Sequence, residues 1–316
     1  MFRPVENKSY HFIESRRIAY VTTIVALLTC LAFAIFWQVS KGSWLNYGVD
    51  FTGGTLLQVR YAQAEDAGEL RSAIEPLFPG TEITRFGSDN EFLIRAPRFA
   101  AGEGTVADRV VAALRAQPNN NFQVVRTEAV GPKVGNELQQ KAILAVLLSF
   151  AATLIYLAFR FEWRFGLAAV IATMHDTLLT MGIISVFRME VSLTTVAAIL
   201  TIVGYSLNDT IVIFDRIREN LKKAGRKVDL VPLLNRSINE TLPRTVLTGG
   251  SVLATLASLA ILGGSTIRGF AVIMLVGVVI GTYSSIFVAS PVLYEIEKRW
   301  GVKKADKPSR QQRVAL

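Results

Sequence analysis

One carboxylate stands out because it lies inside an apolar run long enough to cross a membrane. Asp209 occurs in VGYSLNDTIVIFDRIREN, residues 203–220, about two helical turns before the charged end of that run. A charge near the centre of a membrane helix costs about 2.5–3.5 kcal/mol on insertion scales, so such groups face a protein interior or a water-filled path. Asp209 is therefore the first candidate for proton chemistry. The alternative is a carboxylate that is hydrogen-bonded for helix packing.

Two further ionisable groups occur in the predicted membrane helices. Arg244 follows Pro243 at the predicted start of the fifth membrane helix, where its long side chain can reach inward to pair with Asp209. Interfacial snorkelling is the alternative for this arginine. Asp176, preceded by His175, lies near the middle of the third predicted helix and has no obvious basic partner in the chain. Because burial favours a neutral carboxylate and a nearby cation favours a charged one, movement of the arginine or entry of water can switch protonation.

Other kinds of chemistry find little support in the sequence. His11 and His175 are the only histidines and Cys30 is the only cysteine, which leaves no zinc cluster, no Ser-His-Asp constellation and no intrachain disulfide. The phosphate-binding motif G-x-x-x-x-G-K-[ST] is absent, so the chain does not drive work by its own ATP hydrolysis. We predict a protein that is not an enzyme and uses no cofactor, and if it performs work, we expect an ion gradient to supply the energy.

The elements that must position these residues are membrane helices. The chain has 316 residues, of which 51% are hydrophobic and 19% charged, and its mean hydropathy is +0.38. This composition is typical of a membrane protein, in which a spanning helix needs about 20 apolar residues. We predict six such helices, at 18–39, 139–160, 165–187, 191–214, 244–262 and 267–293. The first is interpreted as a retained anchor, because no A-x-A-like cleavage site precedes Lys41.

The distribution of Lys and Arg predicts the orientation of these helices. Basic residues concentrate in the N-terminus (1–17), around Arg160 and Arg164, in the loop 215–243 and in the tail 294–316. The excess of Lys and Arg in cytoplasmic loops then puts both termini in the cytoplasm and the segment 40–138 on the opposite, outer side of the membrane. Because topology explains the basic segments and no recognition motif accompanies them, we expect no nucleic-acid partner.

Residues 40–138, between the first two membrane helices, have the composition of a soluble domain. Hydrophobic periodicity predicts strands at 55–62, 81–87, 91–97 and 122–130, with helices at 65–78 and 103–117. This β-α-β-β-α-β order is the split arrangement of ferredoxin-like domains. The predicted fold class is an all-α six-helix transmembrane bundle with one inserted α+β ferredoxin-like extracytoplasmic domain.

Small and polar residues add three local expectations. In NYGVDFTGGT, residues 46–55, Asp50 with Gly53 and Gly54 predicts a turn entering a strand, in which the glycines supply positive φ. Gly277 and Gly281 form a G-x-x-x-G pair, which predicts close helix packing. The fourth predicted helix carries a partly polar stripe at spacings of four and three, suited to a proton path or a neighbouring helix: Thr201, Tyr205, Asn208 and Val212.

Several of these motifs together resemble a known family. They are GVDFTGGT at 48–55, MHD at 174–176, VGYSLNDTIVIFDRIREN at 203–220, SINETLPRT at 237–245 and IRGFAVIMLVGVVIGTYSSIFVASPVL at 267–293. Jointly they resemble the SecF proteins of the SecD/SecF family, within the resistance-nodulation-division superfamily. The resemblance covers nearly the whole chain, with six helices and one large outer domain in the expected order. Two positions depart from the family pattern: Val49 stands where Ile is common, and Pro243 precedes the arginine.

The resemblance implies a function that composition and spacing do not. It implies an auxiliary subunit of Sec protein export that pairs with SecD, associates with the SecYEG channel and YajC, and acts on unfolded preprotein. It also implies that the subunit is embedded in the lipid of the bacterial inner membrane. It further implies use of the proton-motive force to promote and complete translocation. Asp209 and Arg244 match positions that the family associates with proton transport, and Asp176 is a third candidate. Asp50 matches the acidic residue of the family's GIDFTGG motif at the junction of membrane and outer domain.

Two other functions remain open at this point. A proton-coupled half-transporter for small molecules or lipids would share intramembrane carboxylates, although exporters of that kind usually carry two large outer domains in a longer chain. A passive assembly subunit of the channel would need neither Asp209 nor Arg244 as charged groups. Replacing those two residues by neutral ones therefore separates the passive role from the proton-driven one.

Overall fold

The computed structural model describes residues 10–86, 88–96, 105–118, 121–224 and 229–300. Six helical runs in these ranges are long and apolar enough to cross a membrane, which confirms the predicted number. They are α1 (Arg16–Lys41), α5 (Pro132–Arg160), α6 (Trp163–Val186), α7 (Leu193–Ala224), α8 (Leu230–Leu262), and a last run of α9 (Ser265–Ser284), a π-helical turn (Ser285–Ala289) and α10 (Ser290–Trp300).

The chain divides into two compact units. The α/β unit comprises Asn46–Ala145 and Glu190–Leu193, and the helical unit comprises the rest of the described chain. Two of the long helices, α5 and α7, therefore have their first residues in the α/β unit.

An apolar core holds one end of the helical unit together. It includes Phe161 and Phe165 next to the α5–α6 connection and Phe214 on α7, all buried. The rings of Phe165 and Phe214 meet edge to face, with centroids 5.5 Å apart. Such aromatic pairs add about 0.5–1.5 kcal/mol beyond the area they bury, so this cluster fixes α5, α6 and α7 relative to one another.

The segment 215–243, predicted as a cytoplasmic loop, is mostly helical in the described chain. Helix α7 continues to Ala224 and α8 begins at Leu230, so Arg244 lies well inside α8 rather than at a helix start. Polar pairs hold the two extensions together: the Arg216 guanidinium contacts the Glu240 carboxylate at 2.6 Å, and the Asn220 amide donates to Ser237 Oγ at 2.9 Å. These pairs lie between successive helices, which spacing along one helix does not reveal.

The α/β unit is built on a four-stranded sheet. Its strands are β2 (Gly54–Tyr61), β3 (Glu82–Arg85), β4 (Glu91–Ala96) and β5 (Phe122–Val130), with α3 (Ala67–Ile74) after β2 and α4 (Val106–Arg115) after β4. The order along the chain is the predicted one. Across the sheet the order is β3-β4-β2-β5, and every pairing is antiparallel. A separate two-stranded parallel pair joins β1 (Asn46–Tyr47) to β6 (Glu190–Val191).

The core of the α/β unit lies between this sheet and the helices α3 and α4. Leu57, Val59 and Tyr61 alternate along β2 and point to one face, where they meet a cluster of buried apolar residues from the other elements. Helix α4 starts with a capping box, in which the Asp108 amide donates to Thr105 Oγ1 at 3.2 Å. The Thr105 side-chain and backbone hydrogen bonds hold the pKa of Asp108 below its usual value.

Candidate functional site

Asp209 lies on α7 and is one of the few ionisable side chains buried in the helical unit. Its exposed fraction is 3%, and its Oδ2 accepts no hydrogen bond from the residues that the structure describes. Tyr205, one turn earlier on the same helix, and Arg244 on α8 are the groups that interact with it electrostatically. A buried carboxylate oxygen without a donor is costly when ionised, so Asp209 is suited to carry a proton.

The ion pair predicted between Asp209 and Arg244 is not formed directly. No contact within 4.0 Å joins them in the described chain, and their interaction acts over a longer distance. The reason is the face of α8 that carries the arginine: Arg244 is exposed, as are its neighbours Val246 and Leu247, whereas Asp209 points inward. The positive charge of Arg244 thus favours the ionised form of Asp209 from a distance. The two side chains form no direct ion pair.

Asp176 on α6 has partners that the sequence did not reveal. Its exposed fraction is 1%; Oδ1 lies 2.8 Å from His175 Nδ1, and Oδ2 accepts a hydrogen bond from Ser206 Oγ on α7. The sequence offered no obvious basic partner for Asp176, and in the structure the neighbouring His175 ring contacts its carboxylate. His175 Nε2 is buried and has no hydrogen-bond partner in the described chain. His175 could be recognised as a possible partner because it precedes Asp176 in the sequence. Ser206 lies on another helix, and no sequence pattern predicted its contact with Asp176.

Ser206, which donates a hydrogen bond to Asp176, is also a neighbour of Asp209 on α7. Ser206 and Asp209 are three residues apart on α7, so their side chains lie on adjacent positions of one face. That face packs against α9, where a Cβ added at Gly281 would stand 3.1 Å from Ser206 Cβ. A Cβ at Gly277 would stand 2.1 Å from Ile202 Cδ1, which confirms the predicted close packing of this glycine pair.

The polar stripe predicted on α7 lies partly on the outside of this chain. Thr201 and Asn208 are exposed, and Tyr205 is half-buried. Thr201 Oγ1 donates to the Ala197 carbonyl at 2.8 Å, whereas the Asn208 amide makes no hydrogen bond to described residues. A free amide facing hydrocarbon is unfavourable, so this face of α7 is suited to contact another protein rather than lipid.

The junction motif lies in the α/β unit and forms the predicted turn. Gly53 and Gly54 have φ angles of 71° and 119°, which confirms that glycines supply positive φ at the entry to β2. Asp50 lies in α2 (Val49–Thr52), a single helical turn. The Leu193 amide, at the start of α7, donates to Asp50 Oδ2 at 2.8 Å. No group of three or more His, Cys, Asp or Glu side chains in the described ranges is arranged to hold a metal ion.

These features define a class of protein. It is a multi-pass membrane protein with an α/β unit between its first two membrane helices and two buried carboxylates on adjacent helices. Two family models match the chain: the C-terminal model of the protein export membrane protein SecD/SecF over residues 110–299, and the SecD/SecF GG motif over residues 42–65. The chain therefore belongs to the SecD/SecF family of protein-export membrane proteins.

Full-length relatives agree with this assignment. A protein translocase subunit SecF from Gemmatimonas aurantiaca is 47% identical over 309 residues, which cover 95% of this chain and 91% of the relative. The subunit of the same name from Pseudomonas aeruginosa is 40% identical over 285 residues, which cover 90% of each chain. These bacterial relatives and the six apolar helices make the chain a multi-pass protein of the bacterial inner membrane.

Solved structures of SecDF share the fold. A crystal structure of SecDF from Thermus thermophilus, described as a translocon-associated membrane protein, superposes with a TM-score of 0.80 at 37% identity and covers 93% of this chain. A second SecDF structure, in a super-membrane-facing form, gives a TM-score of 0.66 at 36% identity and covers the whole chain. The chain spans 39% and 41% of the length of those two SecDF chains, so more than half of each SecDF chain lies outside the match.

Proposed function

We propose that this protein is an auxiliary subunit of Sec protein export that uses the proton-motive force, through Asp209, to promote and complete preprotein translocation. Its family membership and its SecF relatives carry the role in export. The proton step rests on one observation, the burial of Asp209 in a membrane helix with a carboxylate oxygen that lacks a donor. No cofactor is needed, because the proton gradient supplies the energy.

Protonation of Asp209 has a physical means of changing the packing of the helices. When the carboxyl is neutral it is tolerated among apolar side chains, and when it is ionised it draws water, a donor or the Arg244 guanidinium towards it. Arg244 needs no contact with Asp209 to act in this way, since charges in a low-dielectric setting interact over longer distances than in water. Alternation between these states is the proposed source of movement. Asp176, hydrogen-bonded to His175 and Ser206, is proposed as a second proton-binding group.

SecD is the partner that the solved SecDF structures support, because this chain matches only part of them. The exposed polar face of α7, with Asn208 and Thr201, is the proposed contact surface, and a carboxylate from SecD would complete the proton site. We further propose association with the SecYEG channel and YajC, and action on unfolded preprotein. This proposed proton-driven subunit differs from a passive assembly subunit, which would tolerate neutral residues at Asp209 and Arg244.

The orientation and class of the α/β unit are also proposals. The excess of basic residues in the predicted cytoplasmic segments supports cytoplasmic termini and a periplasmic α/β unit. The β-α-β-β-α-β order and the sheet order β3-β4-β2-β5 support a ferredoxin-like class. On the periplasmic side this unit is available to hold an emerging chain and prevent it from sliding back.

The test is Asp209→Asn in a strain that depends on this protein for export. The amide keeps the size of the side chain and cannot gain or lose a proton near neutral pH, so we expect export to fall to the level of the strain lacking the protein. Processing of a secreted reporter measures export, and immunoblotting of membranes establishes that the variant is as abundant as the wild type. Asp89→Asn, at an exposed turn of the α/β unit, is the matched control. Wild-type export at normal abundance would overturn the proton role while leaving family membership intact.

A second measurement isolates the energy source. In membrane vesicles, completion of translocation that depends on the wild-type protein is expected to be lost on adding an uncoupler. The Asp209→Asn variant is expected to give the same low completion with and without the uncoupler. If the variant still promoted completion of translocation, and if an uncoupler still abolished that effect, Asp209 would be refuted as the proton-binding group.

A further inference from the structure

The GVDFTGGT turn has no part in the proposed proton step, yet it is the part of the α/β unit at which two membrane helices begin. Asp50, Gly53 and Gly54 lie within the segment matched by the SecD/SecF GG motif, residues 42–65. The residues that surround them belong to the first turns of α5 and α7.

The first turn of α7 receives its cap from Asp50. Helix-start amides have no partner within their own helix and require an outside acceptor. The Leu193 amide donates to Asp50 Oδ2 at 2.8 Å across 143 residues of sequence. A carboxylate at this place also complements the positive end of the helix dipole and makes a charge-assisted hydrogen bond.

A two-stranded pair holds the α7 start beside the turn. Asn46 pairs with Glu190 and Tyr47 with Val191 in parallel register, and the Gly48 amide donates to the Val191 carbonyl at 2.8 Å. A Cβ added at Gly48 would stand 2.5 Å from Glu190 Oε1, so only glycine allows this approach without a shift. These contacts fix the segment just before α7 and set the distance over which Asp50 can reach Leu193.

The same turn packs against the first turn of α5. A Cβ added at Gly135 would stand 2.9 Å from the Phe51 carbonyl oxygen and 3.2 Å from the Gly53 nitrogen. Both are backbone atoms, which cannot rotate away as a side chain can. Gly53 and Gly54 hold φ angles of 71° and 119° at this contact, and Gly54 pairs with Val130 at the end of β5, just before α5 begins.

We propose that the turn Val49–Gly54 is a positioning element that sets the starts of α5 and α7, with Asp50 acting as a hydrogen-bond acceptor for α7 and not as a proton carrier. Asp50 is thus a positioning residue, which acts through the helix that carries Asp209 further along. The glycines act by allowing backbone contact: Gly53 with the start of α5, and Gly54 with the end of β5. This role does not depend on whether Asp209 binds a proton.

Three substitutions at Asp50 separate an acceptor from a proton carrier. Asp50→Asn keeps an acceptor oxygen at the same distance and removes the ionisable group. Asp50→Glu keeps the ionisable group and shifts its oxygens by one methylene, and Asp50→Leu removes the acceptor. If Asp50 is a cap, export is expected to be retained in Asp50→Asn and reduced in the other two. If Asp50 carries protons, Asp50→Glu retains export and Asp50→Asn abolishes it, which would overturn the proposal.

Hydrogen exchange of the purified full chain tests directly the hydrogen bond from the Leu193 amide to Asp50. Loss of an N-terminal cap is expected to speed exchange of the Leu193 amide roughly 5- to 30-fold in Asp50→Leu, and to leave it within about twofold of wild type in Asp50→Asn. Asp89→Leu, at an exposed turn of the same unit, is the matched control and is expected to leave Leu193 unchanged. Unchanged exchange at Leu193 in Asp50→Leu would refute the cap, whatever happens to export.

Gly135→Ala tests the contact with α5 independently. We expect faster exchange in the first turn of α5 and reduced export, because the added methyl displaces the backbone of the turn. Gly250→Ala on α8, where a Cβ meets no atom within 4 Å, is the control. Wild-type exchange and export in Gly135→Ala would overturn the role assigned to Gly53.

Discussion

The contact between α7 and α9 gives a stability prediction whose size follows from the coordinates. A Cβ built at Gly277 stands 2.1 Å from Ile202 Cδ1, 2.4 Å from Cγ1 and 3.0 Å from Cγ2, whereas carbon atoms that are not bonded pack best at about 3.5–4.0 Å. Ile202 is only 1% exposed, so its side chain has little room to move aside. Gly277→Ala is therefore expected to destabilise the protein by about 1–3 kcal/mol, the usual cost of overpacking.

The same contact predicts a compensating pair. Ile202→Ala removes the three atoms that the new methyl would strike, and by itself it leaves a cavity that is expected to cost about 2–5 kcal/mol. In the double variant Gly277→Ala with Ile202→Ala, the methyl enters the vacated space. The loss of stability is expected to be smaller than the sum of the two single losses by about 0.5–3 kcal/mol.

Unfolding of the purified chain in mixed micelles, followed by denaturant titration, measures these differences. Gly250→Ala serves as the control, because a Cβ there meets no atom within 4 Å and alanine favours a helix by about 0.5–1 kcal/mol. We expect the control to be as stable as the wild type or slightly more so. A neutral Gly277→Ala, or strict additivity of the two single changes, would refute the packing of α9 on α7 through this glycine.

Two more predictions concern hydrogen bonds to carboxylates. Ser206→Ala removes one donor from the buried Asp176 and leaves His175 as its remaining partner, so we expect a loss of about 1.5–3 kcal/mol in the same micelle titration; an unchanged midpoint would contradict the bond. In the α/β unit, hydrogen bonds from Thr105 lower the folded-state pKa of Asp108, so their stabilisation is complete above the usual carboxyl pKa and is lost as the pH falls through the lowered value. Protection of the α4 amides from hydrogen exchange, taken relative to the intrinsic rate at each pH, should therefore fall in acid for the wild type. In Thr105→Val this protection should be lower near neutral pH and should vary less with pH, and a difference between the two proteins that persists unchanged into strong acid would argue against this linkage.

The exposed polar face of α7 bears on how the proton site is completed. Asp209 is buried in this chain, but Tyr205 is only half-buried and Arg244 and Asn208 are exposed. Polar groups on a membrane-helix surface are favourable only where protein or water meets them. The site is thus enclosed on one side by this chain, and the proposed SecD partner would enclose the other.

Much of the membrane part was accessible from local sequence pattern. Six apolar runs predicted six helices because spanning a bilayer constrains both length and composition. Asp209 was identifiable for the same reason, since a lone carboxylate in such a run is expensive. The positive φ of Gly53 and Gly54 followed from the glycine-rich turn, which is a property of a few consecutive residues.

Contacts between distant parts of the chain were not accessible in this way. The segment 215–243 was predicted as a loop because it is charged, yet its residues 215–224 and 230–243 are helical, and pairs between α7 and α8, such as Arg216 with Glu240, hold the two helices together. Charge pattern along one helix indicates exposure to water and does not tell whether a second helix lies alongside. Arg244 was therefore placed at a helix start, and its direction relative to Asp209 was misjudged.

By itself, the sequence determined that the chain crosses a membrane, where its α/β unit lies along the chain and which residues carry charge into the apolar helices. Only the tertiary structure decided that Ser206 bonds Asp176, that Arg244 does not contact Asp209, and that Asp50 caps a helix that begins 143 residues later. The physical reason is that hydrophobicity, backbone preference and desolvation cost act on neighbouring residues. Hydrogen bonds and close packing depend on which surfaces the folded chain brings together, and these are set by all the helices at once.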